Sequence, residues 1–389
     1  MKPADEYFAK GCCAIGKKYY EQAVEHFQKA IDLNPKYVLA YRFIGLSYTS
    51  LKNFRGAIRY FQKAMDIDPD NAEIYSDMGN IYCDMDDFPA AIRYYRKSLE
   101  LNPKHLNVCH NIGLGYQRLE NYQEAIHYFK KSIEINPNHV FGYNNMGICY
   151  YELQDYNAAI SCYQKGLDVE PSQAMIFLNM GNALYAIEKY DEAIRYFEKA
   201  IKAKPNNTAP YINLGMTYAD LKKYDKALSC FQKVLRVNPK HPTVYNHIGS
   251  ISFALKNYDK AIQSYKKNIE NNPEDTYSFF NIAIVYMELE NYQQAILYFR
   301  KVLDINPKDE GAYINLGIAH YELKDYNESI QHFQAALRFD PDNPTTNFCL
   351  GELYGDTLND KEKQTFYYKK AAQSGDEDAQ QWLQEHGHV

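Results

Sequence analysis

The sequence predicts an all-α solenoid of stacked helix hairpins, and three regularities carry that reading. Proline stands at 35, 69, 103, 137, 171, 205, 239, 273, 307 and 341, always 34 residues apart. With each proline counted as position 32 of a unit, position 8 is glycine in nine units and Ala283 in the other. Position 20 is alanine in nine units and Ser329 in the tenth, while position 24 is always Phe or Tyr. A fixed period of this length marks supersecondary units that bury their apolar faces only against neighbours.

The ten units run 4–37, 38–71, 72–105, 106–139, 140–173, 174–207, 208–241, 242–275, 276–309 and 310–343. Unit 106–139 shows the logic of each. Cys109, Ile112, Leu114 and Tyr116 give one helical period, and Tyr122, Ala125, Ile126, Phe129 and Ile133 give a second. Glu120-Asn121 marks the break between them, and Asn136-Pro137 ends the second helix, because the residue before proline is pushed toward extended backbone. Small residues at positions 8 and 20 let the two helices approach, and the aromatic at 24 fills the space beside them.

These residues resemble the tetratricopeptide repeat (TPR) family: aromatic at 4, apolar at 7, Gly at 8, Tyr at 11, Ala at 20, aromatic at 24, Pro at 32. The resemblance covers 4–343. It implies a right-handed superhelix whose concave groove is lined by the first helix of each unit. In three units Leu184, Ser252 and His320 stand at position 11, with Tyr185, Phe253 and Tyr321 one residue later, where the aromatic is expected to turn toward the groove. Residues 344–389 read as a degenerate unit and a capping helix. Leu350, Gly351 and Tyr354 persist, the proline is lost, and one residue is gained before Tyr368; the stretch 366–380 is similar to Sel1-like repeats. Trp382 is expected to dock onto the last repeat. Lys10 and Lys17 replace apolar residues of later units, which suits a terminal helix with one wet face.

The chain carries 49 acidic and 43 basic residues, a net charge of −6, and reads as evenly charged with no basic tract. That argues against nucleic acid as a partner. The eight cysteines form no CxxC pair and read as reduced thiols of a cytoplasmic protein. No run approaches 18 apolar residues, so membrane insertion is not expected. There is no HExxH, no GxxxxGK[ST] and no GxSxG. The reading is a chain without catalytic, metal or cofactor residues.

Position 6 is the informative one. It holds Asn111, Asn145, Asn179, Asn213, Asn281 and Asn315, the first four in consecutive units. An amide offers both donor and acceptor to a peptide backbone, and the series resembles the groove asparagines of O-GlcNAc transferase TPR regions. Positions the resemblance places beside it are largely apolar, among them Phe141, Tyr151, Met175, Tyr185, Met216, Phe253, Tyr277, Phe280 and Tyr321. Acidic residues recur at position 13: Asp84, Glu152, Asp220, Glu288 and Glu322. Together they predict a non-catalytic scaffold that binds an extended protein or peptide segment with apolar anchors and flanking basic residues. Two alternatives share the same pattern: a substrate-targeting subunit of a multi-chain enzyme complex, such as one with a separate glycosyltransferase, or a scaffold that self-assembles into homo-oligomers.

Overall fold

The computed structural model describes residues 2–387. Among them are twenty-three α-helices, one π-helical turn and no strand. They form two compact units, Met1–Pro210 and Tyr211–Val389. Repeats 1–6 and the first three residues of repeat 7 make up the first. The rest of repeat 7, repeats 8–10, the Sel1-like repeat and the final helix make up the second.

Each repeat is an A helix and a B helix, as in Leu106–Arg118 and Tyr122–Ile135 of repeat 4. Between them, position 15 adopts positive φ in all ten repeats, from 56° at Lys222 to 66° at Lys324. The Asn121 N–H donates to the Tyr116 carbonyl at 2.9 Å, and the Glu120 N–H to the Gln117 carbonyl at 3.1 Å. This is the Schellman arrangement, which satisfies carbonyls left orphaned where an A helix stops. No glycine occupies the turn; Lys, Asp, Glu or Gln bears the left-handed conformation at a cost of about 1 kcal/mol. Position 16 then caps the B helix: Asn53, Asp87, Asn121, Asp155, Asn257 and Asn291 each accept from the N–H three residues on. The B helix ends where Asn136, extended at φ −134°, precedes Pro137.

The core follows from the close approach at position 8. A Cβ on Gly113 would lie 2.6 Å from the Phe129 ring, which is fully buried. In repeat 9 Ala283 takes the glycine's place and Phe299 still packs without exposure. Ser329 stands in for the buried alanine of position 20, and its hydroxyl donates to the Gly317 carbonyl at 2.8 Å, so no buried polar group is left over.

In the Sel1-like repeat, Gly351 and Tyr368 meet as positions 8 and 24 do elsewhere, although 17 rather than 16 residues separate them. The additional residue is taken up by a π-helical turn at Leu353–Thr357, ahead of Asn359 in the left-handed turn. The last helix, Glu377–Glu385, packs Trp382 4.6 Å from the Tyr368 ring, as the sequence led us to expect.

Candidate functional site: the A-helix face

All six position-6 asparagines are half-buried, neither submerged between hairpins nor fully in solvent. In the first unit they bridge neighbouring repeats. Asn111 Nδ2 donates to Asn80 Oδ1 at 3.2 Å and to the Tyr95 hydroxyl at 3.4 Å. Asn179 Nδ2 donates to Asn144 Oδ1 at 2.9 Å, and Asn144 in turn donates to Asn145 Oδ1 at 3.0 Å. In the second unit Asn281 and Asn315 donate to carbonyls one turn back in their own helices, Tyr277 at 2.7 Å and Gly311 at 2.8 Å. Asn213 also has a partner within the chain. In Asn111, Asn179, Asn281 and Asn315 the amide nitrogen is therefore engaged and the oxygen keeps acceptor capacity.

The aromatic residues picked out at position 12 pair with position 17 of their own hairpin. Tyr151 lies 5.2 Å from Tyr156, Tyr185 5.6 Å from Tyr190, and Phe253 and Tyr321 each 5.9 Å from Tyr258 and Tyr326. They are half-buried, as are Met216, packed on the Phe231 cluster, and Phe280, edge-on to Phe299 at 5.3 Å. Three of the apolar side chains picked out from the sequence on this face stay well exposed: Phe141 at 54%, Met175 at 41% and Tyr277 at 52%. Each sits four residues before a position-6 asparagine, Asn145, Asn179 and Asn281, hence on the same helix face one turn away.

One group escaped the sequence reading. Arg42 Nε donates to Asp77 at 2.6 Å and its Nη2 to Glu73 at 3.1 Å; His105 Nε2 lies 3.2 Å from Glu73. Asp77 occupies position 6 of repeat 3, and burial pushes its carboxyl above the usual range against the pull of Arg42. The signal was available: Arg42 and Asp77 are 35 residues apart, the same step that joins Asn144 to Asn179. Both pairs run from position 5 of one repeat to position 6 of the next.

Burial raises the Cys149 thiol to about 12 and the Cys162 thiol to about 11, which keeps both protonated and poor as nucleophiles. No group of three or more potential metal ligands occurs among the described residues. Nor is any helix among them long and apolar enough to cross a membrane.

Family models described as tetratricopeptide repeat match residues 4–37, then 70–138, 106–172, 142–206 and 172–240, then 212–276 and 280–344. A TPR repeat model matches 45–86 and a Sel1 repeat model 350–376. The chain belongs to the tetratricopeptide repeat family. As such it is a scaffold for protein interaction. Anaphase-promoting complex subunit 8 of Arabidopsis thaliana is 39% identical over 54 residues, which is 13% of this chain and 9% of that protein. Among solved structures, MamA is 25% identical over 42% of this chain and 95% of its own, with a TM-score of 0.40. Yeast Tom70 is 17% identical over 99% of both chains at TM-score 0.46. The Cut9–Hcn1 hetero-tetramer of APC/C is 14% identical over 99% and 96% at TM-score 0.46.

Proposed function

We propose that the A-helix face captures an extended segment of a partner protein. In repeats 4–6 the grip comes from Asn111, Asn145 and Asn179 with Phe141, Tyr151, Met175 and Tyr185. In repeats 7–10 it comes from Asn213, Asn281 and Asn315 with Met216, Phe253, Tyr277, Phe280 and Tyr321. The supporting observation is the triple recurrence of an exposed large apolar side chain one turn before a half-buried asparagine. Exposed apolar side chains gathered into a patch mark binding surfaces, and Phe141 and Met175 hold the same position in adjacent repeats.

With their nitrogens engaged, four of the six amides offer oxygens, so the partner presents backbone N–H groups or cationic side chains. The position-13 acids Asp84, Glu152, Asp220, Glu288 and Glu322, all exposed, favour the same partner. Each hydrogen bond contributes about 1 kcal/mol net. Each apolar anchor buried against Phe141 or Met175 adds roughly 1.5–3 kcal/mol, and a micromolar complex needs about 8 kcal/mol. Ordering costs of several kcal/mol must also be offset, so amides alone are too weak and the apolar anchors of each unit are required.

The test is fluorescence anisotropy with ligands selected from a random peptide library. Phe141→Ala should weaken binding about tenfold with the melting temperature unchanged, whereas Asn179→Ala should weaken it about tenfold and also lower the melting temperature, because the buried Asn144 loses its donor. Undiminished affinity of both variants for every selected ligand would discard the reading.

A further inference from the structure

The even charge distribution read from the whole chain does not hold within the second unit. Residues 211–267 carry nine lysines and Arg236 against three aspartates and no glutamate, a net charge of +7. Residues 268–389 carry 21 acidic against nine basic residues. The B helices of repeats 7 and 8, Tyr224–Val237 and Tyr258–Asn271, bear much of the positive charge. All ten cations are exposed, and among the described residues none of them forms an ion pair.

Their placement is ordered by the repeat. Lys226 and Lys260 share position 19, and Lys233 and Lys267 share position 26. On each helix the two lie seven residues apart, on one face about 10 Å from each other along the axis. Lys222 and Lys256 repeat the arrangement in the preceding turns. Three of these lysines rest over tyrosine rings, Lys226 over Tyr218 and Lys233 over Tyr211 at 5.4 Å, and Lys267 over Tyr245 at 5.8 Å. The rings steer the ammonium groups without neutralising them.

We propose that this B-helix face of repeats 7 and 8 docks an acidic segment of a partner protein, independently of the A-helix face. Unpaired cations in matched rows attract and orient carboxylates. A protein segment fits better than a nucleic acid because the positive surface spans only two repeats. The B helix of repeat 9, Tyr292–Ile305, adds only Arg300 and Lys301 beside Asp304, and that of repeat 10, Tyr326–Ala336, carries Glu328 and no Lys or Arg, so a long polyanion would find little positive surface further on.

The experiment uses the full chain and a fluorescent 16-residue Glu/Asp-rich peptide, with binding read at 50 and 150 mM salt. Wild type should bind at both, more weakly at the higher salt. The quadruple variant Lys226→Glu/Lys233→Glu/Lys260→Glu/Lys267→Glu should lose at least tenfold in affinity, and the matching Lys→Gln variant several-fold. Asn281→Ala should leave this binding unchanged, which separates the face from the one proposed above. Equal binding by the charge-reversed chain overturns the proposal. So does tighter binding of single-stranded DNA of equal charge, or light scattering that shows the face covered by a second copy of the chain.

Discussion

At position 8 a single methyl group separates a close helix crossing from a collision. Gly113→Ala points a Cβ at the Phe129 ring from 2.6 Å and is expected to cost about 1–3 kcal/mol, measured as a lowered urea midpoint. Repeat 9 is the built-in contrast, since Phe299 already accommodates Ala283. If Gly113→Ala proved as stable as wild type, the ring rather than the backbone would be the part that yields. This contact was legible in the sequence because both partners recur every 34 residues. Asn268 was not. It sits at a position that elsewhere holds Ala, Ser, Gly or Val, and its buried amide donates to Asp275 at 2.9 Å and Ser278 at 3.2 Å. A residue used once leaves no periodic trace.

Helix boundaries were legible wherever proline or an Asn/Asp cap marked them. The left-handed turn at position 15 was not, because Lys, Glu, Asp and Gln carry it without the glycine that usually signals such backbone. Position 16 is uneven among repeats: Asn121 accepts from the Glu124 N–H, whereas Lys189 opens its B helix with no side-chain cap. Lys189→Asn should stabilise the protein by about 1 kcal/mol, seen as a raised urea midpoint. The Lys189–Glu192 pair lost in the exchange is exposed and worth little. A lowered midpoint would mean that the Lys189 stem packs more than the cap contributes. The candidate site was legible as a list of positions but not as a state of burial. The asparagines' internal bonds and the position-12 pairings depend on how far each helix is rotated against the next, which composition does not encode.

Across the molecule, stability should depend on acidity through buried imidazoles. Burial, reinforced by His139, lowers the pKa of His110 to about 4, and burial together with His320 does the same to His332. An unfolded histidine titrates near 6.5. Above that both states are neutral and stability is complete. As pH falls from 6.5 toward 4 only the unfolded chain takes up the proton, and stability is lost. Allowing for partial exposure, the loss is on the order of 2 kcal/mol for each histidine. Urea midpoints at pH 7.5 and 4.5 should differ accordingly, and His110→Leu should narrow the gap; a gap unchanged by that substitution would place the sensitivity elsewhere. At this scale the Sel1-like repeat is instructive. Its widened turn at Leu353–Thr357 restores the meeting of Gly351 and Tyr368 after a one-residue excess. The array is metered by where its rings seat, not by how many links lie between them. A single-residue insertion late in another A helix should therefore be swallowed locally, like slack taken up by an expansion joint, while every hairpin downstream keeps its seat.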